Sequence, residues 1–176
     1  EAYPPDVLVR DVRALVEHFA LTDYDLVGFS LGARTAVRAV IDGLAPRRLV
    51  LGGMGLEGLA GWDRRAAFFI DAIDRFDEVK RGDPAFVAVS FMKTQKIDRV
   101  AARLLLQSVD DTAAEELAAV TMPTLVVCGE KDDDNGSPQA LVEALPDARF
   151  EQVPGTHMSS VTETELGEAI TRFLTA

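Results

Sequence analysis

The chain has 176 residues, 48% hydrophobic and 27% charged, with a formal net charge of −11. That is enough chain for one domain with a real core, and the composition is that of a soluble globular protein. An acidic chain with no Lys/Arg cluster repels phosphate backbones and anionic lipid, which excludes nucleic acid and membrane surfaces as partners.

Glu1-Ala2-Tyr3-Pro4-Pro5 has neither the charged nor the apolar region of a signal peptide, so the cytoplasm is the expected compartment. Val7, Leu8, Val12, Leu15, Val16 and Phe19 recur at helical spacing and predict a helix over 6–20. Residues 24–29 are a short strand ending in glycine, and 33–42 return to helical spacing until Gly43 and Pro46 stop them. Leu49-Val50-Leu51-Gly52 is a second strand. From Gly52 the character changes: a glycine-rich stretch to Gly61 is followed by helical patterns near 62–77, 84–92, 96–108 and 112–119, with Thr112 and Glu115 spaced as a capping box. Residues 124–129 are a third strand, continuously apolar as buried parallel strands are. It contains Cys128, the only cysteine, which can form no internal disulfide and reads as a buried thiol. Ser137-Pro138 opens a helix with an N-cap and a first-position proline. Arg149–Val153 is a fourth strand, and Thr162 with Glu165 caps a last helix to Phe173. No run approaches the ~18 apolar residues of a membrane span. Alternating strands and helices predict an α/β fold with a mostly parallel sheet. The insert after the second strand is too long for a plain connection.

Gly28-Phe29-Ser30-Leu31-Gly32 is a G-x-S-x-G motif set between a strand and a helix, the context in which it forms a nucleophile elbow. The sharp turn puts Ser30 in a strained conformation, and a Cβ at Gly28 or Gly32 is expected to collide across it. The Leu31 N–H, at the helix N-terminus, lies where an oxyanion would form. A serine hydroxyl needs a base, and the chain has two histidines. His18 lies in the first amphipathic helix. His157 follows the last strand, at the sheet edge where open α/β sheets carry their sites, and is the base candidate. The orienting acid belongs after the third strand, where Asp132 is the first choice and Asp134 the second, giving the chain order Ser, Asp, His. Asp133 reads as part of a solvated turn. A calcium loop of EF-hand spacing ending its turn at Gly136 would need acidic residues where Lys131 and Val142 stand, so no metal is expected.

These residues resemble the α/β-hydrolase superfamily. The matching pieces are residues 24–32, the run Met122–Asp132, and Val153-Pro154-Gly155-Thr156-His157, and the resemblance extends from about Asp6 to the end. It implies a hydrolase core from residues 1–52 and 122–176, with residues 53–121 inserted as a helical cap. It also implies Asp132 as the triad acid. Phe29, Met54 and Trp62, among other apolar residues such as Leu56, Phe68, Phe69, Phe91 and Met92, would then face substrate. Members carry further strands before the elbow strand, with a second oxyanion donor. Here those are expected from a longer chain, a companion N-terminal segment, or a homo-oligomer, because the Ser30 strand alone would form an exposed sheet edge. The expected function is hydrolysis of a small ester, thioester or related acyl substrate by Ser30, His157 and Asp132, without a cofactor. The alternatives are a non-catalytic ligand-binding protein of the same fold and an inactive fragment.

Overall fold

A computed structural model describes residues 2–176. The chain divides into two compact units: Leu8–Ala60 with Thr112–Ala176, and the residues up to Val7 with Gly61–Asp111.

The larger unit is built on four parallel strands in sequence order, β1 (Leu26–Phe29), β2 (Leu49–Gly52), β3 (Thr124–Gly129) and β4 (Ala148–Val153). The register places Gly28 beside Leu51 and Val126 beside both Leu51 and Phe150. Side chains alternate across the sheet as a period of two requires. Leu49, Leu51, Val126 and Cys128 face one layer, formed by α2 (Leu31–Ile41), α7 (Pro138–Ala144) and the short 3-10 turn Ala114–Ala119, through Ala33, Val37, Val40, Leu141 and Leu117. Val50, Leu125 and Val127 face the opposite layer, α8 (Thr164–Thr175), through Leu166, Ala169 and Phe173. β3 is buried throughout, which accounts for its unbroken apolar sequence. The amphipathic helix α1 (Val7–His18) packs outside α2, with Val9 against Ala39 and Leu44.

Element boundaries follow their terminal hydrogen bonds. α1 stops before Phe19 because Ala20 turns left-handed (φ 51°) and the Leu21 N–H returns to the Val16 carbonyl. Ser137 caps α7 as its position predicts, its hydroxyl accepting from the Ala140 N–H at 3.1 Å. The two predicted capping boxes do not form. The Thr112 N–H is taken by the Leu59 carbonyl, so the turn begins one residue later, and the Glu116 carboxylate accepts from the Ala113 N–H at 2.8 Å. Thr162 ends the turn Ser160–Thr162, donating its hydroxyl to the Ser159 carbonyl, and Glu163 occupies the N-cap of α8.

After β2 the larger unit continues through Met54 into the single turn α3 (Leu56–Leu59). Arg34 of α2 is 1% exposed, and its Nη1 donates to the carbonyls of Gly58 (3.1 Å) and Leu59 (2.7 Å). One turn further along α2, Arg38 pairs with Glu116 at 3.0 Å. The residues just before and just after the second unit are thus both fastened to the helix that begins beside Ser30.

The second unit contains α4 (Trp62–Asp74), α5 (Phe86–Thr94) and α6 (Arg99–Ser108). Its core is Ala72, Ile73, Val79, Ala85, Val89 and Met92, with Phe76, Ile97, Ala102 and Leu106 packed against them. Asp98 caps α6 through the N–H groups of Val100 and Ala101. Arg75 bridges Asp71 and Asp83, and holds both carboxyls below the usual range through its hydrogen bonds. No helix among the described residues is long and apolar enough to cross a membrane.

Candidate active site

β1 ends at Phe29 and α2 begins at Leu31, which leaves Ser30 to make the entire turn between them. It does so at φ 52°, ψ −117°, a region that side-chain-bearing residues rarely occupy. The surrounding bonds fix that conformation. The Ser30 N–H reaches across to the Gly52 carbonyl at 2.8 Å, and its own carbonyl accepts from the Arg34 N–H in the first turn of α2. Gly28 is required because a Cβ there would collide with the Gly32 carbonyl. Gly32 behaves differently from the sequence expectation: a Cβ on it would meet nothing within 4 Å. The crowding of the elbow falls on the strand side alone, since it is the backbone of Gly32 that approaches Gly28, while the Cβ direction of Gly32 points into open space.

His157 is carried by the loop after β4. Within that loop the Thr156 N–H bonds the Ser159 hydroxyl at 2.8 Å and the Ser160 N–H bonds the Thr156 carbonyl at 3.0 Å, folding the chain tightly around the histidine. Its imidazole is mostly buried, with Nε2 2.9 Å from Ser30 Oγ and Nδ1 3.0 and 3.1 Å from the two carboxylate oxygens of Asp132. A carboxylate only accepts hydrogen bonds, so Nδ1 carries the proton and a neutral ring leaves Nε2 free to accept from the Ser30 hydroxyl. The Asp132 side chain is buried, and the loop bearing it is joined to the histidine loop by the Lys131 N–H, which donates to the Gly155 carbonyl at 3.0 Å. Of the two acid candidates, Asp132 meets His157. Asp134 is exposed, and its N–H donates to Asp132 Oδ1 at 3.2 Å. His18 lies exposed on α1, edge-on to Phe19.

Phe29 is half-buried, with its ring centroid 5.1 Å from that of His157. Met54 and Trp62, also expected at substrate, are packed away from solvent. Met54 is 2% exposed among the core residues of the sheet unit, with its carbonyl beside the Cys128 thiol. Trp62 is 5% exposed in the helical unit, where its Nε1–H donates to the Leu106 carbonyl at 3.3 Å. Both are large apolar side chains whose burial removes area from water, and sequence gives no means of telling that from substrate contact. Burial also pushes the Cys128 thiol up to about 11.

Gly53, beside the histidine, and Asn135, which holds Gly53, have no motif to announce them. Gly53 has φ 58°, and a Cβ on it would meet Phe29 Cζ at 2.6 Å and His157 Cε1 at 3.0 Å. Asn135, in the acid loop, is 5% exposed and donates its amide to the Gly53 carbonyl at 2.7 Å. The one signal for the pair is the glycine-rich stretch itself, since glycine is needed where backbone must pass close to something.

Solved structures share this architecture. A hydrolase from Pseudomonas aeruginosa is similar with a TM-score of 0.72 at 23% identity, covering 100% of this chain and 74% of that one. An esterase from Exiguobacterium antarcticum is similar at 0.72 and 16% identity, over 100% and 75%. The enol-lactonase from Burkholderia xenovorans is similar at 0.71 and 19% identity, over 99% and 74%. No curated protein sequence matches the chain. A family model does, over residues 1–166, and with this fold around it the chain belongs to the alpha/beta hydrolase family.

Proposed function

We propose that the protein is a serine hydrolase acting on a small ester, thioester or related acyl substrate. The observation that carries this reading is the unbroken hydrogen-bond chain from the Asp132 carboxylate through His157 to Ser30 Oγ. Ser30 attacks the acyl carbonyl while His157 Nε2 takes its proton. Asp132 holds the imidazole in the required tautomer and stabilises the imidazolium. Negative charge on the carbonyl oxygen is met by the Leu31 N–H, in the first turn of α2, where the helix has no partner of its own for that donor. His157 returns the proton to the leaving group and then activates water to release the acyl enzyme. Phe29, against the imidazole, is the residue assigned to substrate contact, and the helical insertion is assigned the role of cap. The solved structures named as hydrolase, esterase and enol-lactonase support acyl chemistry as the class.

The experiment is labelling by a fluorophosphonate probe, followed by assay with a p-nitrophenyl ester. Wild type is expected to label and turn over, and Ser30→Ala to do neither. Labelling that persists in Ser30→Ala overturns the assignment. An unlabelled, inactive wild type that ligands stabilise against heat would instead indicate a binding protein.

The open edge of β1 belongs to the same proposal. Among the described residues β1 bonds only β2, and Val27 is 46% exposed. Such an edge templates pairing, and we assign it to a companion segment or a second copy. Light scattering of this chain alone is expected to show self-association; a monodisperse monomer argues against the second copy.

A further inference from the structure

We propose that Asn135 is a positioning residue for His157, acting through Gly53. The proposal rests on the hydrolase reading for what His157 does, but its geometry and its first test do not require turnover.

The segment after β2 and the loop after β3 are joined bond by bond. Asn135 Nδ2 donates to the Gly53 carbonyl at 2.7 Å, and the Asn135 carbonyl accepts from the Gly58 N–H at 2.9 Å. The Ser137 carbonyl accepts from the Leu56 N–H at 3.1 Å, and the Ser137 N–H donates to the Glu57 carboxylate at 2.8 Å. The glycines of this segment stand where the loop comes closest. A Cβ at Gly55 would collide with the backbone of Gly136, and one at Gly58 would come within 2.8 Å of Asn135 Cβ and 2.9 Å of its Oδ1.

Gly53 is the point at which this seam meets the imidazole. Its N–H is held by the Val127 carbonyl of β3 at 2.9 Å and its carbonyl by Asn135, so both sides of a left-handed residue are fixed. In that conformation its Cα lies close enough that an added Cβ would press on His157 Cε1 and on the Phe29 ring. The imidazole is therefore met by Ser30 at Nε2, by Asp132 at Nδ1 and by the Gly53 backbone toward Cε1, with the Phe29 ring tilted against it at 5.1 Å between centroids. Only the first two are hydrogen bonds to the ring. The third depends on Gly53 staying in place, and the Asn135 amide is the side-chain bond that keeps it there. Asn135 lies three residues after Asp132, so the same loop supplies both the acid and the brace.

The test reads the His157 Cε1–H resonance by NMR in the resting protein, assigned by comparison with His18→Gln, which removes the other histidine. Asn135→Ala is expected to shift and broaden that resonance. It is also expected to lower kcat by tenfold or more with KM changed less than about threefold, since the brace acts on the base, and misplacement on the order of 1 Å is felt in the chemical step. Glu57→Ala removes an exposed side chain from the same seam and is expected to move the resonance in the same direction by less. An unchanged resonance in both variants, or a rise in KM at unchanged kcat, overturns the proposal. Should Asn135→Ala fail to fold, the Glu57→Ala resonance decides alone. Failure of the hydrolase reading is separately visible as a wild type that no probe labels, and the resonance comparison then stands without kcat.

Discussion

Gly28 and Gly32 occupy equivalent places in the sequence motif, yet the structure treats them differently. A Cβ at Gly28 would overlap the Gly32 carbonyl, and neither backbone can yield without moving Ser30. Gly28→Ala is expected to destabilise by about 3 kcal/mol, the upper range of overpacking costs, and to lower activity with it. Gly32 lies inside the first turn of α2 with open space at its Cβ. Gly32→Ala is expected to stabilise by about 0.5–1 kcal/mol, the helix preference for alanine. Urea denaturation of the two variants checks both signs. The motif states that glycines flank the serine; the physical demand for one of them comes from a contact between atoms four residues apart.

Among the elements, α7 was readable because all of its start signal is local. Ser137 caps, Pro138 fills the first position, and both act within one turn. Ser137→Ala is expected to cost ~1 kcal/mol in chemical denaturation, with the α7 N-terminal amides exchanging faster. The predicted capping boxes at Thr112 and Thr162 have the same local credentials and do not form, the first because of a distant partner and the second because of a competing local turn. The Leu59 carbonyl claims the Thr112 N–H from 53 residues away, and Thr162 is drawn into the turn that closes the histidine loop. A capping pattern is an offer that a tertiary partner can overrule.

For the molecule as a whole, Cys128 gives a probe of the sheet unit that depends on the packed core rather than on any element. Its thiol is 3% exposed, and burial raises it from the ordinary 9.0 to about 11. The folded state therefore holds its proton where the unfolded chain has lost it. Relative to Cys128→Ala, wild-type stability is expected to be constant below pH 9 and to fall as pH rises from 9 toward 11. Urea titrations at pH 7 and pH 10 measure the difference, and an equal gap at both removes burial as the cause. The sole tryptophan, Trp62, lies in the helical unit, so its fluorescence and the reactivity of the Cys128 thiol follow the two units separately.

The order of strands and helices, the parallel sheet, and Ser30 and His157 as the residues to bring together are all legible in the amino-acid sequence. These follow from periodicity, turn residues and chain order, all local or one-dimensional signals. That Asp132, and not Asp134, meets the imidazole is visible only in the folded chain. The two stand two residues apart in one exposed-looking acidic run, and which carboxylate turns inward depends on how that loop is fastened to its neighbour. The tertiary structure also places Met54 and Trp62 in the interior, because burial is a property of what surrounds a side chain. It gave the glycine-rich stretch its meaning as well, as the seat of the loop that carries Asn135. Close approach between segments some 80 residues apart leaves no trace in sequence except the absence of a side chain.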